Sequence, residues 1–241
     1  MLRTLPLLAL ALLAVAACAP SSPVPSPQTT AAGSDSLRIV VIGSSTAAGV
    51  GPADRDSTWV ERYRAYLTRV DPRFAVTNLA VGGYTTFHLA PTGTVAPAGM
   101  ENAPDPERNI DAALSLRPDA ILVNLPSNDT AMGIEVAAQM ANFDAMVDAA
   151  TEAGVPIWLM TPQPRDFEPE HVQVQLELLA DMRAAYGDHA IDFWTGLADP
   201  DGQQAERWDS GDHLHYNSAG HRVFFERVRD AGIAEAVQAR R

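Results

Sequence analysis

One cysteine, Cys18, stands in a chain of 241 residues, so no disulfide closes within it. Basic charge is scarce as well: 17 Lys and Arg face 30 Asp and Glu, for a formal net charge of −13 and a pI near 4.7. So acidic a chain repels polyanions, which argues against nucleic acid and bare anionic membrane surfaces as partners. No internal repeat recurs. The long apolar run, Leu5 to Ala17, is too short to span a bilayer comfortably. What is left, 46% hydrophobic and 20% charged, has the proportions of an ordinary globular protein.

The apolar run follows Arg3 and ends Val15-Ala16-Ala17-Cys18, so residues 1–17 read as a signal peptide. Its end resembles a bacterial lipobox, in which Cys18 becomes the lipid-modified first residue. A plain secretory leader cut at the Ala-rich stretch, leaving Cys18 as a free thiol, is the alternative. Acyl chains contribute about 0.8 kcal/mol per buried CH₂. The expectation is therefore an exported lipoprotein of the bacterial cell envelope, held to a membrane by its N-terminal lipid. Residues 18–36 are this Cys and a segment rich in Pro, Ser and Thr, which buries too little surface to order and reads as a tether. Residues 37–241 then form one domain, long enough to bury about 70% of its extended-chain surface.

That domain is organised around Leu37–Gly51. Ile39-Val40-Val41-Ile42 is a continuous β-branched run, the pattern of a strand buried on both faces. Gly43 ends it, and Ser44-Ser45-Thr46 follow at the carboxyl edge, where open α/β sheets bind ligands. Taken alone, the segment also reads as a simple strand-to-loop turn. Thr58 and Glu61 are a capping-box pair for a helix ending at Asp71-Pro72. Phe74–Val81 is a second strand, ending at Gly82-Gly83, which suits either close backbone approach or a tight turn. Phe87–Asp105 is loop-like, and Asp105-Pro106 opens a helix to Arg117.

A third strand, Ala120–Leu125, precedes Pro126-Ser127-Asn128-Asp129. The Asn128 amide suits stabilisation of developing negative charge, while Asx-turn and capping roles for Asn128 or Asp129 are equally in keeping. A long helix over about 134–153, a strand Ile157–Met160, a helix over about 168–186 and a strand Ala190–Trp194 continue the alternation. Gln163 and Arg165 follow the fourth strand. A final helix spans about 218–237. Strands alternating with helices predict a parallel sheet covered on both faces.

Just before that last helix lies Asp209-Ser-Gly-Asp-His-Leu-His-Tyr-Asn217. At a three-residue spacing, Asp212 can accept the Nδ1–H of His215, leaving Nε2 free to take a proton. Asp209, Asp212, His213 and His215 are also possible metal ligands, although no other His or Cys cluster completes a shell. Trp208 beside them suits packing or stacking on a sugar ring. Every polar element sits at a strand's carboxyl end or in this last loop, so all can converge on one crevice. The roles that follow are Ser45 as nucleophile, His215 as base and Asp212 as its orienter. The N–H groups of Ser45 and Gly83, with the Asn128 amide, form the oxyanion hole. No G-x-S-x-G elbow surrounds Ser45.

The arrangement resembles the SGNH (GDSL-like) hydrolase family from about Leu37 onward. The family's Gly-Asp-Ser block stands here as Gly43-Ser44-Ser45, its second block as Asn78–Gly83, its third as Pro126–Asp129 and its fifth as Asp212–His215. Ser44 replaces the usual Asp and Pro126 the usual Gly; neither exchange is expected to touch a residue with a chemical role. The resemblance implies a three-layer α/β/α sandwich, with a flavodoxin-like parallel five-stranded sheet, and ester hydrolysis without metal or organic cofactor. Short-chain acyl or O-acetyl esters of carbohydrates are the favoured substrates. A lysophospholipase or thioesterase acting on lipid acyl groups, or a ligand-binding module without catalysis, are the alternatives.

Overall fold

The computed structural model describes residues 35–125 and 127–241. The signal peptide, Cys18, most of the tether and Pro126 lie outside the described residues.

Among the described residues there are five strands: β1 (Leu37–Gly43), β2 (Phe74–Asn78), β3 (Ala120–Asn124), β4 (Ile157–Met160) and β5 (Ala190–Ile191). All pair in parallel, in the order β2-β1-β3-β4-β5. Parallel neighbours need crossovers, and helices supply them. Between β1 and β2 run α1 (Ser45–Ala48) and α2 (Trp59–Val70); between β2 and β3, α3 (Thr86–Leu89) and α4 (Ile110–Ser115). Next come α5 (Asn128–Ala131) and α6 (Val136–Glu152) before β4, and α7 (Pro169–Tyr186) before β5. The chain closes with α8 (Ser218–Asp230) and α9 (Ile233–Ala239).

The β-branched run of β1 makes both faces of the sheet. Leu37, Ile39 and Val41 join one buried cluster with α2, α8 and α9, including Trp59, Leu67, Phe224 and Val237. Val40 and Ile42 point the other way, into a second cluster with Ile110 of α4, Phe143 and Met146 of α6, and Leu178 of α7. Alternation at period two, apolar on both faces, is what a central strand of a three-layer sandwich requires. Each such side chain contributes roughly 1.5–3 kcal/mol by leaving water. The architecture is the parallel sheet covered on both faces that the alternation predicts, and the flavodoxin-like α/β/α sandwich that the family resemblance implies.

Several boundaries differ from expectation, each for a local reason. The second strand stops at Asn78, whose Oδ1 accepts the Ala80 N–H (3.0 Å) and turns the chain. The fifth stops at Ile191, because the Asp192 carboxylate takes the N–H groups of Trp194 and Thr195 (2.7 and 3.0 Å). The helix expected from Asp105 begins at Ile110, capped by the Asn109 side chain on Ala112 N–H (3.0 Å). Thr58 caps α2 through Glu61 N–H (3.4 Å), but the Glu61 carboxylate turns to Arg64 (2.8 Å), so only half the capping box forms. The final helix is two helices, parted where Gly232 takes a left-handed conformation (φ 72°). Among the described residues no helix is long and apolar enough to cross a membrane.

Candidate active site

In this strand order the chain reverses direction across the sheet between β1 and β3, and their carboxyl ends form the crevice of such folds. Gly43 pairs with Asn124 at that edge. A Cβ on Gly43 would lie 2.4 Å from the Asn124 carbonyl oxygen, so only glycine lets the two strands close there. The Ser44 N–H then donates to that carbonyl (2.9 Å), and Ser45 opens α1. Ser45 is 8% exposed, at the surface of the crevice without being solvated freely. Its carbonyl accepts the N–H groups of Gly49 and Val50 (both 3.0 Å), which folds the following loop back over α1.

The chain leaving β2 stays beside β1, with Val81 N–H donating to Gly43 O (3.1 Å). Gly82 faces Ser45: a Cβ built there would meet Ser45 Cβ at 3.8 Å. Gly83 has φ +87°, where a side chain is strained, and its N–H finds no acceptor among the described residues.

At the end of β3, α5 begins with Asn128. Its Nδ2 donates to Ser44 Oγ (2.8 Å) and to Tyr84 O (2.9 Å), tying together the segments that follow all three strands. This corrects the expectation for Ser44: the exchange of Asp for Ser falls directly on the Asn128 amide. Pro126, the other departure, lies outside the described residues. Asp129 accepts the Thr86 N–H (3.0 Å) and the Thr86 hydroxyl (2.6 Å), and Asn142 Nδ2 donates to that same hydroxyl oxygen (2.9 Å). Burial pushes the Asp129 carboxyl up to about 6, against the opposing pull of the Thr86 bonds. Sequence reasoning offered Asp129 only a capping role. Its fixed place beside Asn128 was the available signal, but its partner 43 residues away was not visible.

The loop 209–217 is built from side-chain-to-backbone bonds. Asp209 Oδ1 accepts from His213 N–H (3.0 Å), and Asp212 Oδ1 accepts from the N–H groups of Leu214 (3.1 Å) and His215 (2.8 Å). Asp212 Oδ2 lies 2.6 Å from His215 Nδ1. Burial acts to raise the Asp212 carboxyl, but the bonds from the His215 ring and backbone outweigh it and hold the group well below the usual carboxylate range. The His215 side chain is 13% exposed and that of Asp212 49%, so the imidazole faces inward and the carboxylate backs onto water. Asn217 caps α8 and donates to Arg207 O and Asp209 O (2.9 and 3.1 Å), closing the loop.

This loop meets the one that follows Ser45. A Cβ on Gly51 would lie 2.1 Å from Tyr216 O and 3.3 Å from His215 Cβ, so the two backbones are in contact. Fully buried His221 fastens the same place: Nδ1 accepts the Trp59 N–H (3.1 Å) and Nε2 lies 3.3 Å from Val50 O. Burial pushes the His221 imidazole down to about 4, keeping it neutral. No hydrogen bond joins Ser45 Oγ to His215 among the described residues. Such contacts often tighten only when substrate binds.

Of the other candidates, Gln163 is buried, and Arg165 is half-buried within the field of Asp212. Trp208 packs on the core, with its Nε1–H donated to Gly196 O (3.2 Å) and Arg207 over its ring, which is the packing role. Among the described residues no group of three His, Cys, Asp or Glu side chains is arranged to hold a metal ion.

A small hydroxyl residue at the switch point of a flavodoxin-like sheet, with an imidazole–carboxylate pair on the adjoining loop, is the layout of an acyl-transfer hydrolase lacking the nucleophile elbow. The GDSL-like lipase/acylhydrolase family matches residues 41–223, and the chain belongs to that family. It is by class an ester hydrolase. No curated protein matches the chain. Solved structures share its fold at low identity. An acetyl xylan esterase, AlAXEase, superposes with TM-score 0.61 at 16% identity, covering 81% of this chain and 99% of that one. The psychrotrophic esterase EstA of a Pseudoalteromonas species gives 0.54 at 17%, covering 80% and 95%. A two-domain esterase active on acetylated mannans gives 0.55 at 15%, covering 85% of this chain and 50% of that one.

Proposed function

We propose that this protein is a serine esterase that cleaves short acyl groups, O-acetyl groups in particular, from carbohydrates. The observation that carries the mechanism is the 2.6 Å contact between His215 Nδ1 and Asp212 Oδ2, on a loop in backbone contact with the loop that follows Ser45. With Nδ1–H donated to Asp212, Nε2 keeps its lone pair for a proton. Ser45 Oγ attacks the ester carbonyl and its proton passes to His215 Nε2. The alkoxide leaves with that proton, and water then releases the acyl group from Ser45 by the same route. Gly83 N–H and Ser45 N–H stabilise the oxyanion, joined by Asn128 Nδ2. Both Asn128 N–H groups have acceptors in the resting state, so this donor joins only by releasing or sharing its bond to Ser44 Oγ.

Support for a carbohydrate substrate comes from the surroundings: a cavity whose wall residue Asp166 is bonded to the His213 carbonyl is lined mainly by polar side chains. The likeness to an acetyl xylan esterase points the same way. With the leader and Cys18 read as above, the enzyme would act in the bacterial cell envelope, tethered by lipid.

Two measurements test this. A fluorophosphonate should label wild-type protein and not Ser45→Ala; an unlabelled wild type would indicate a binding module. Among p-nitrophenyl esters, acetate should give the highest kcat/KM. A maximum at decanoate or longer would transfer the assignment to lipid acyl hydrolysis.

A further inference from the structure

Beside the proposed catalytic loop opens a cavity of about 540 Å³, within the size range of small-molecule sites. One wall is Ala131, the last residue of the α5 helix that begins with Asn128. The rest of the lining is the loop after β4, carrying Arg165, Asp166, Phe167 and Glu168, together with Pro169, His171 and Gln203. That loop is joined to the catalytic one. Asp166 N–H donates to His213 O (3.4 Å), and the Tyr216 hydroxyl donates to Pro164 O (2.7 Å). The cavity thus lies between the helix that supplies the proposed oxyanion donor and the loop after β4, which is itself bonded to the loop that supplies the imidazole. Ala131 stands three residues along α5 from Asn128, about 4.5 Å of helix rise, so a substituent extending past the proposed oxyanion donor reaches this space.

The chemistry of the walls says which substituent. Arg165 is half-buried, its guanidinium 4.7 Å over the Phe167 ring, and it makes no hydrogen bond or ion pair among the described residues. Five N–H donors therefore face the cavity region without fixed acceptors. Asp166 and Glu168 add carboxylate acceptors, and Asp166 has only a loose approach to His213 (3.9 Å). Gln203 pins the loop by accepting Phe167 N–H (2.7 Å) and donating to Phe167 O, so the wall is organised before any ligand arrives. A long acyl chain here would strip water from three charged groups and return nothing. An anionic substituent would meet Arg165 but also two carboxylates. A neutral polyol answers both kinds of wall, since each hydroxyl donates and accepts.

We propose that this cavity is the alcohol subsite, and that it binds one or more neutral sugar rings of an O-acylated oligosaccharide. Arg165 donates to ring or hydroxyl oxygens, and Asp166 and Glu168 accept from hydroxyls. The assignment rests on the esterase reading and extends it to the leaving alcohol.

The test separates the two. Calorimetric titration of Ser45→Ala protein with unacylated xylo- and manno-oligosaccharides should show binding with Kd near ~1 mM or tighter, about −4 kcal/mol. Adding Arg165→Gln or Asp166→Asn should weaken it by roughly tenfold or more, the size expected for a hydrogen bond to a charged group. In the active enzyme, Arg165→Gln should lower the ratio of kcat/KM on acetylated oligosaccharide to that on p-nitrophenyl acetate by a similar factor. Thermal melts check that each variant is folded, and Arg165→Lys serves where Gln is not tolerated. A wild type that hydrolyses p-nitrophenyl acetate while its Ser45→Ala form binds no oligosaccharide overturns the subsite and leaves the esterase standing. Tighter binding of a uronic-acid oligosaccharide than of a neutral one, or an unchanged ratio in folded Arg165 variants, also overturns it. Loss of fluorophosphonate labelling in wild type would instead strike the esterase reading.

Discussion

The candidate site has two halves made in different ways. Ser45, Gly83 and Asn128 stand at the ends of β1, β2 and β3, and their relative positions follow from sheet register and from partly buried bonds between distant residues. Asp212 and His215 stand on one short loop, and their relation follows from bonds spanning two to four residues. The strand-borne half is shared among three segments, with Ser45 buried and Asn128 half-buried, so a change there disturbs several donors at once. The loop-borne half is local and half-exposed, so a change there alters one interaction. Substitutions in the two halves should therefore differ in size and in kind.

The largest effect should come from the group both halves depend on. His215→Ala removes the base, and kcat on p-nitrophenyl acetate is expected to fall by roughly 10⁴-fold or more, leaving only what the oxyanion donors supply. Stability should hardly move, because the side chain anchors nothing but Asp212. A drop of less than tenfold would remove His215 from the mechanism.

How legible these halves were in the sequence follows the same division. The Asp212–His215 pairing needs only a three-residue spacing and a turn, both visible in the letters. The strand ends were visible too, because Gly43, Gly82-Gly83 and Asn128 break apolar runs at corresponding places. The partners were not. Ser44 meets Asn128 across 84 residues, and His221 meets Trp59 across 162. Such contacts depend on which strands neighbour one another and in what register, which periodicity does not encode. Hence the letters place Ser44 away from the chemistry, give Asp129 a capping role only and give His221 none. The short helices α1, α3 and α5 were missed for a related reason. One turn has no period to detect, and these turns exist because tertiary bonds hold their ends.

On the strand-borne side, Asn128→Ala should lower kcat by about 10²–10³, the usual consequence of losing one oxyanion donor. It should also loosen the Ser44–Tyr84 junction, seen as faster hydrogen exchange in residues 82–86. Near-wild-type kcat would show that Gly83 and Ser45 N–H suffice. On the loop-borne side, Asp212→Asn should cost less, roughly 10–10²-fold in kcat, because a half-exposed charge-assisted bond is worth about 1.5–3 kcal/mol. An Asp212 variant more damaging than the Asn128 variant would invert the comparison. Ser44→Ala should be milder still. It removes a neutral acceptor worth about 1 kcal/mol, so kcat should change by roughly fivefold. The sign is the informative part: a fall means Ser44 holds the Asn128 amide in place, and a rise means it competes with the oxyanion for the same N–H.

The smallest expected effect in the wild type is a cancellation. His221 has its imidazole pushed down to about 4 from an ordinary 6.5 by burial, against the opposing pull of the Val50 carbonyl and with a smaller push from the Arg62 charge. As pH falls from about 6.5 to 4 the unfolded chain gains a proton that the folded one refuses, so stability drops, by about 3 kcal/mol over the window. Asp129 runs the other way. Burial raises its carboxyl to about 6 from an ordinary 3.8, so between these values the unfolded chain has lost a proton that the folded one keeps. Its contribution is full below pH 3.8 and is lost as pH rises to 6, again by about 3 kcal/mol. Between pH 4 and 6 the two slopes oppose and nearly cancel. Asp129→Asn should uncover the histidine, giving a protein whose denaturation midpoint rises with pH across that range relative to wild type. His221→Gln should uncover the carboxylate, giving a midpoint that falls with pH relative to wild type. Parallel pH profiles for both variants and the wild type would mean that neither buried group keeps its shifted protonation, and that the supports behind both halves of the site are wetter than their geometry implies.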